Sequence, residues 1–68
     1  MTADETLELQ RRLEVLRSEH RDLDDVIARL AEKEGADQLL MRRLKKRKLV
    51  LKDQITAVES ALVPDIIA

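Results

Sequence analysis

Residues 9–30 read LQRRLEVLRSEHRDLDDVIARL, and this stretch decides the fold because a leucine returns at every seventh position. These leucines occupy position d of a heptad repeat, abcdefg, whose frame holds from Leu9 to Leu62. The d positions are Leu9, Leu16, Leu23, Leu30, Asp37, Leu44, Leu51 and Val58, and the a positions are Leu13, His20, Ile27, Glu34, Met41, Lys48, Ile55 and Leu62. Apolar side chains spaced alternately three and four residues apart form one stripe on a helix, and such a stripe packs against another helix. The sequence therefore predicts an all-α fold that depends on helix pairing.

Local signals divide this pattern into two helices. Thr2 and Glu5 have the spacing of a capping box, which predicts that a helix starts close to them. Gly35, the only glycine, is the residue type that usually follows a helix at C′, and Asp37 is a good N-cap for the next helix. Pro64 cannot continue that helix. We therefore expect a single helical-hairpin domain, 1–68, with helix 1 over about 3–33, a turn over about 34–37, helix 2 over about 38–62 and a short tail over 63–68.

The segment around Gly35 decides between two shapes. The heptad frame does not change across it, so one long continuous helix is the alternative to a hairpin. A continuous helix would place two acids, Glu34 and Asp37, in the seam beside a glycine that alone costs about 1 kcal/mol in a helix interior. We therefore expect an antiparallel two-helix hairpin that resembles a coiled coil.

The seam of such a hairpin is apolar with a polar interruption. The apolar side chains of helix 1 are Leu13, Leu16, Leu23, Ile27 and Leu30, and those of helix 2 are Met41, Leu44, Leu51, Ile55 and Val58. A turn near Gly35 brings Lys48 to the level of Asp24, which lies one helical turn from His20. We interpret these three polar residues as a cluster that fixes register, with His20 hydrogen-bonded to a neighbour.

Further apolar residues lie outside the seam: Leu7, Val15, Val26, Leu39, Leu40, Leu49, Val50, Ala57 and Ala61. A chain of this length buries only about 60% of its unfolded surface, so its own core is marginal. Small scaffolds often gain stability by association, which predicts a homo-oligomer such as a four-helix bundle or larger. The alternative is that these residues are scattered surface apolars, which are common.

Composition excludes several kinds of site. The chain has no Cys and no Phe, Tyr or Trp, so thiolate metal sites, cysteine nucleophiles and base-stacking platforms are absent. His20 and Asp24 offer two potential metal ligands, whereas zinc sites need three or four. No nucleophile–base pair is recognisable, so we assign no catalytic, cofactor-binding or metal-binding residue and expect a protein that is not an enzyme. Without a signal sequence or a membrane-spanning apolar run, we expect a soluble, cytoplasmic protein.

Charge is divided unequally between the two halves. Residues 1–34 contain ten acids and six bases (−4), whereas residues 35–68 contain four acids and seven bases (+3). Opposite charges favour laying the two helices side by side. The densest run consists of Arg42, Arg43, Lys45, Lys46, Arg47 and Lys48. We interpret it mainly as a solvated face that pairs with helix 1, and alternatively as a phosphate-binding segment.

Two segments resemble a known family. Residues 16–30, LRSEHRDLDDVIARL, resemble the first helix of the YdcH-like family of small bacterial proteins, with its His-x-x-Leu-Asp-x-x-Ile core. Residues 44–55, LKKRKLVLKDQI, resemble that family's second signature, except that Gln54 stands where Glu is more usual. The resemblance implies a short helical hairpin of bacterial origin. It implies no activity, because the function of the family is unknown.

Two functional hypotheses follow. The first is a small structural or adaptor protein that acts through helix–helix interaction, as a homo-oligomer and with a protein partner whose identity the sequence does not reveal. The second is a helical hairpin that binds nucleic acid through the basic segment of helix 2. The heptad and the apolar residues outside the seam favour the first, because the second is supported by the basic run alone.

Overall fold

The computed structural model describes residues 2–63, which form two helices in the order α1 (Ala3–Ala31) and α2 (Gln38–Leu62). The helices pack against each other as a hairpin, and Arg17 of α1 contacts Glu59 near the end of α2. The hairpin measures 50 × 25 × 15 Å. The all-α hairpin expected from the sequence is confirmed, and the continuous-helix alternative is wrong.

The first helix begins where the capping signal predicts. Thr2 is the N-cap with an extended backbone, and its hydroxyl oxygen accepts a hydrogen bond of 3.2 Å from the Glu5 amide. This bond satisfies one of the amides that a helix start leaves without an intrahelical partner. Asp4 and Glu5 add negative charge to the first turn, where the helix dipole favours it.

The helix ends earlier than its sequence suggests. The last helical residue is Ala31 and the C-cap is Glu32, so Gly35 does not occupy the C′ position that we expected for it. A 3.2 Å bond from the Lys33 amide to the Leu30 carbonyl tightens the end of the helix. Gly35 instead supplies a positive φ of 73° within the turn itself. Glycine adopts this left-handed conformation without the steric cost that a Cβ imposes.

The second helix begins at a strong cap. The Asp37 carboxylate accepts hydrogen bonds from the amides of Leu39 and Leu40, at 2.9 and 3.2 Å. The helix continues to Leu62, and Val63 leaves it with an extended backbone (ψ 125°). This is the conformation favoured in a residue that precedes proline. Pro64 and the expected tail beyond it lie outside the described residues.

The heptad frame predicts burial in both helices. All ten seam residues expected to meet are buried or half-buried, and Leu51 is the most buried at 2% exposure. Leu13, Leu16, Leu51 and Val58 form one cluster, while Ile27 and Met41 are buried near the turn. The two acids that break the apolar pattern, Glu34 and Asp37, lie exposed in the turn and in the cap. These two acids therefore remove little apolar contact from the seam.

The left-handed glycine generates a stability prediction. A Cβ at Gly35 would meet no atom within 4 Å, so steric crowding does not explain the glycine and the backbone angle does. We expect Gly35→Ala to lower the free energy of unfolding by about 1 kcal/mol, because alanine pays the left-handed penalty. Gly35→Asn is the matched control, since asparagine tolerates this region better, and should cost less. Urea titrations in which alanine is as stable as glycine would contradict the assignment.

Candidate functional site

One ion pair joins the two helices in the middle of the hairpin. The Lys48 ammonium lies 2.6 Å from Oδ1 of Asp24. The two residues therefore lie at the same level of the hairpin, as a turn near Gly35 predicts. Lys48 occupies an a position and is only half-exposed, whereas the Asp24 side chain is 55% exposed at the edge of the seam. The lysine stem therefore crosses the seam and its charge reaches water beside the carboxylate.

This contact changes the titration of Asp24. The hydrogen bond and the charge of Lys48 lower the pKa of the Asp24 carboxyl below its ordinary value of 3.8, and His20 acts in the same direction. A lowered folded-state pKa stabilises the hairpin above the unfolded-state pKa, and this contribution is lost as the pH falls through the folded-state value. The effect is confined to acid conditions and is small, because the carboxylate is exposed.

His20 does not complete the cluster as expected. Its Nε2 atom is buried and has no hydrogen-bond partner among the described residues, although we expected this histidine to bond a neighbour. Oδ1 of Asp24, one turn away on the same helix, is engaged by Lys48. A buried polar atom without a partner costs free energy. The arrangement is therefore an Asp24–Lys48 pair beside a histidine, rather than a network of three mutually bonded groups.

A second ion pair was missed by the sequence reasoning. Arg17 Nη2 lies 3.1 Å from Oε2 of Glu59, and both residues occupy e positions. In an antiparallel pair the e positions of the two helices lie side by side, which is the signal that could have identified this contact. Here the base is on α1 and the acid is on α2. The acidic first half and basic second half of the chain predict ion pairs with the acid on α1 and the base on α2. Of the two interhelical ion pairs among residues 2–63, only Asp24–Lys48 has this arrangement.

Most of the basic run of α2 is not engaged in ion pairs with α1. Lys48 is the one member that forms an ion pair with α1 within the described part of the chain, and the other five are exposed: Arg42, Arg43, Lys45, Lys46 and Arg47. Arg47 lines a surface depression together with Glu19 and Asp22 of α1, but within residues 2–63 none of these five basic side chains forms an ion pair with α1. Their heptad positions, b, c, e, f and g, point away from the seam, which only a and d enter.

Apolar side chains are exposed on both helices. The large ones are Leu7, Val15, Val26, Leu39, Leu40, Leu49, Val50 and Val63. Leu49 is the most exposed of them at 63%. Along α2 they fall on two sides of the helix: Leu40 and Val50 lie at g and c, whereas Leu39 and Leu49 lie at f and b. The described chain thus presents two different apolar surfaces next to one basic segment.

Residues 2–63 contain neither a membrane-spanning helix nor a cluster of metal ligands. Neither α1 nor α2 is long and apolar enough to cross a membrane. Over the same residues, no group of three His, Cys, Asp or Glu side chains is placed to hold a metal ion. Several surface depressions lie at the helix–helix boundary, and one of them is lined by Ile27, Lys45, Lys48, Leu49 and Lys52.

Substitution of His20 tests whether its buried imidazole is hydrogen-bonded. Replacing His20 by Leu removes a buried atom without a partner and adds apolar contact, so the free energy of unfolding should rise by about 1 kcal/mol or more. Replacing Lys48 by Leu as well should raise the melting temperature further and broaden the distribution of oligomer masses, if polar a positions restrict assembly. Thermal melts and native mass spectra measure the two effects. Loss of stability in His20→Leu would show that the imidazole is hydrogen-bonded.

Comparison with known proteins places the chain in one family. No curated protein and no solved structure is significantly similar to it. The profile of a family described as "Protein of unknown function (DUF465)" matches residues 13–59, a span that contains the seam, both interhelical ion pairs and the basic run. The resemblance to YdcH-like proteins in residues 16–30 and 44–55 is consistent with this match. The chain therefore belongs to the family of small uncharacterised proteins designated DUF465.

Proposed function

We propose that this protein is a non-enzymatic, cytoplasmic interaction module whose hairpins associate with each other and offer a helical surface to a protein partner. The observation that carries the proposal is the contrast between a small core and a large exposed apolar surface. Among residues 2–63, six hydrophobic residues are buried, whereas eight large ones are exposed. Two helices that share one seam have no second layer to cover these side chains.

The first contact surface in this proposal is the c/g side of α2. Leu40, Val50, Ala57 and Ala61 occupy g and c positions of α2, with Arg43, Arg47 and Gln54 at the g and c positions between them, and Val26 of α1 lies at a g position, on the same side. Because c and g positions lie on one side of a helix, these apolar residues form a second, interrupted stripe beside the seam. Leu40, Val50 and Val26 are 39–43% exposed, so a second copy could bury much of their area. Packing two such stripes together gives the four helices of a bundle.

Association predicts concentration-dependent stability. At micromolar concentration the protein should sediment as a dimer or larger, and its melting temperature should rise with concentration because association stabilises the folded state by mass action. Val50→Glu should shift the mass toward the monomer. Leu49→Glu is the matched control: it introduces the same charge one residue away, on the b side, and should leave the mass unchanged. A monomeric wild-type protein with concentration-independent melting would refute self-association.

Nucleic-acid binding is the second candidate, and one observation favours it. Six basic side chains of α2 are exposed and form no ion pair with α1 among the described residues. Their charges are available to phosphates, although the chain has no aromatic side chain to stack on bases.

The test of this candidate uses a charge-reversed variant. For a purely electrostatic interaction we expect micromolar or weaker affinity at physiological salt. Lys45→Glu/Lys46→Glu/Arg47→Glu should abolish it, and helix content should survive because all three side chains are exposed. Gel shifts and circular dichroism on the same variant decide the matter. Sub-micromolar binding at 150 mM salt that disappears in the folded triple variant would place nucleic-acid binding first.

A further inference from the structure

Leu49, the most exposed large apolar side chain of the described residues, has mostly basic neighbours on the surface of α2. On a helix surface, the neighbours of Leu49 are the residues three, four and seven positions away. These are Arg42, Lys45, Lys46 and Lys52, together with Asp53 and Thr56. A leucine that is 63% exposed therefore has four cationic neighbours and one acidic neighbour. Leu39, 57% exposed, continues this surface toward the start of α2, and we call the six residues Leu39, Arg42, Lys45, Lys46, Leu49 and Lys52 the basic-apolar face.

The other helix leaves this face positively charged. From Leu39 to Lys52 the sequence contains seven bases and no acid. Lys48 is the member of this stretch that is paired with α1, through Asp24. At the same level, the b and e positions of α1 are Arg21, Asp24, Ala28 and Ala31, of which only Asp24 is acidic and it is engaged by Lys48. The basic-apolar face occupies b, e and f positions of α2, which differ from those of the c/g stripe, so its side chains stay accessible in the assembly proposed above.

We propose that the basic-apolar face binds the surface of an anionic lipid bilayer, with α2 lying in the plane of the interface. Lysine and arginine side chains are attracted to anionic headgroups, and their long stems let nearby apolar groups reach the acyl boundary. Leu49 and Leu39 are placed to enter that boundary between the charges. A nucleic-acid phosphate backbone would attract the bases equally but would leave both leucines in water. The apolar side chains therefore favour a bilayer over a polynucleotide.

Vesicle binding tests the proposal with the full chain. The protein is mixed with vesicles of phosphatidylcholine containing about one third phosphatidylglycerol, or of phosphatidylcholine alone, and the bound fraction is measured by flotation. We expect binding to the anionic vesicles only, and a decrease as salt shortens the Debye length. Lys45→Gln/Lys46→Gln/Lys52→Gln should lower the partition coefficient about 100-fold, since each basic residue near the surface contributes several-fold. Arg11→Gln/Arg12→Gln/Arg21→Gln removes the same charge from exposed positions on α1 and should have a much smaller effect.

A second variant separates the bilayer from a general polyanion. Leu49→Gln keeps every charge and should lower the partition coefficient about tenfold, because one leucine no longer enters the acyl boundary. Leu7→Gln, on α1, is the matched control and should bind as the wild type does. Two outcomes would overturn the proposal: no binding to anionic vesicles, or vesicle binding that Leu49→Gln leaves unchanged. Tight binding of duplex RNA by a protein that ignores vesicles would assign the face to nucleic acid instead.

Discussion

The structure depends on a single layer of apolar contact between two helices. Leu51 lies at its centre, 2% exposed and clustered with Leu13, Leu16 and Val58. Most helical stability in proteins comes from packing of an amphipathic face rather than from helix propensity, so the hairpin is held by the apolar surface that this layer removes from solvent. The caps at Thr2 and Asp37 and the left-handed Gly35 set where the chain turns. The helices would pair in any case, because their apolar side chains must be buried against each other.

Electrostatics has a smaller part in this pairing than the charge distribution implies. The two interhelical ion pairs of the described residues have opposite polarity, one with the acid on α1 and one with the acid on α2. All four side chains are at least one-third exposed, and exposed ion pairs contribute little to stability. Most of the bases on α2 are therefore not paired with acids of α1. It remains on the surface, where a partner with negative charge can use it.

The outer surfaces of α2 divide the proposed functions between them. The c/g side carries Leu40, Val50, Ala57 and Ala61, interrupted by Arg43, Arg47 and Gln54, and is the side proposed to pack against another helix. The b/e/f side combines Leu39 and Leu49 with bases and suits an anionic interface. Because the two sides occupy different heptad positions, c and g in one case and b, e and f in the other, association and surface binding use different residues. A small assembly of hairpins would also present several basic-apolar faces at once, which strengthens weak surface binding through multivalency.

The sequence by itself determined the fold class, the turn region and nearly every buried residue. A heptad frame fixes which side of each helix is apolar, and a glycine followed by an N-cap marks where the chain reverses. Only the tertiary structure decided the details that depend on the relative position of the helices. Among the described residues, it placed Arg17 beside Glu59, left Nε2 of His20 without a partner, and left six exposed bases of α2 without an ion pair to α1. Periodicity gives the angle of a side chain around its own helix, whereas pairing across the seam depends on the axial register of two helices, which no local pattern contains.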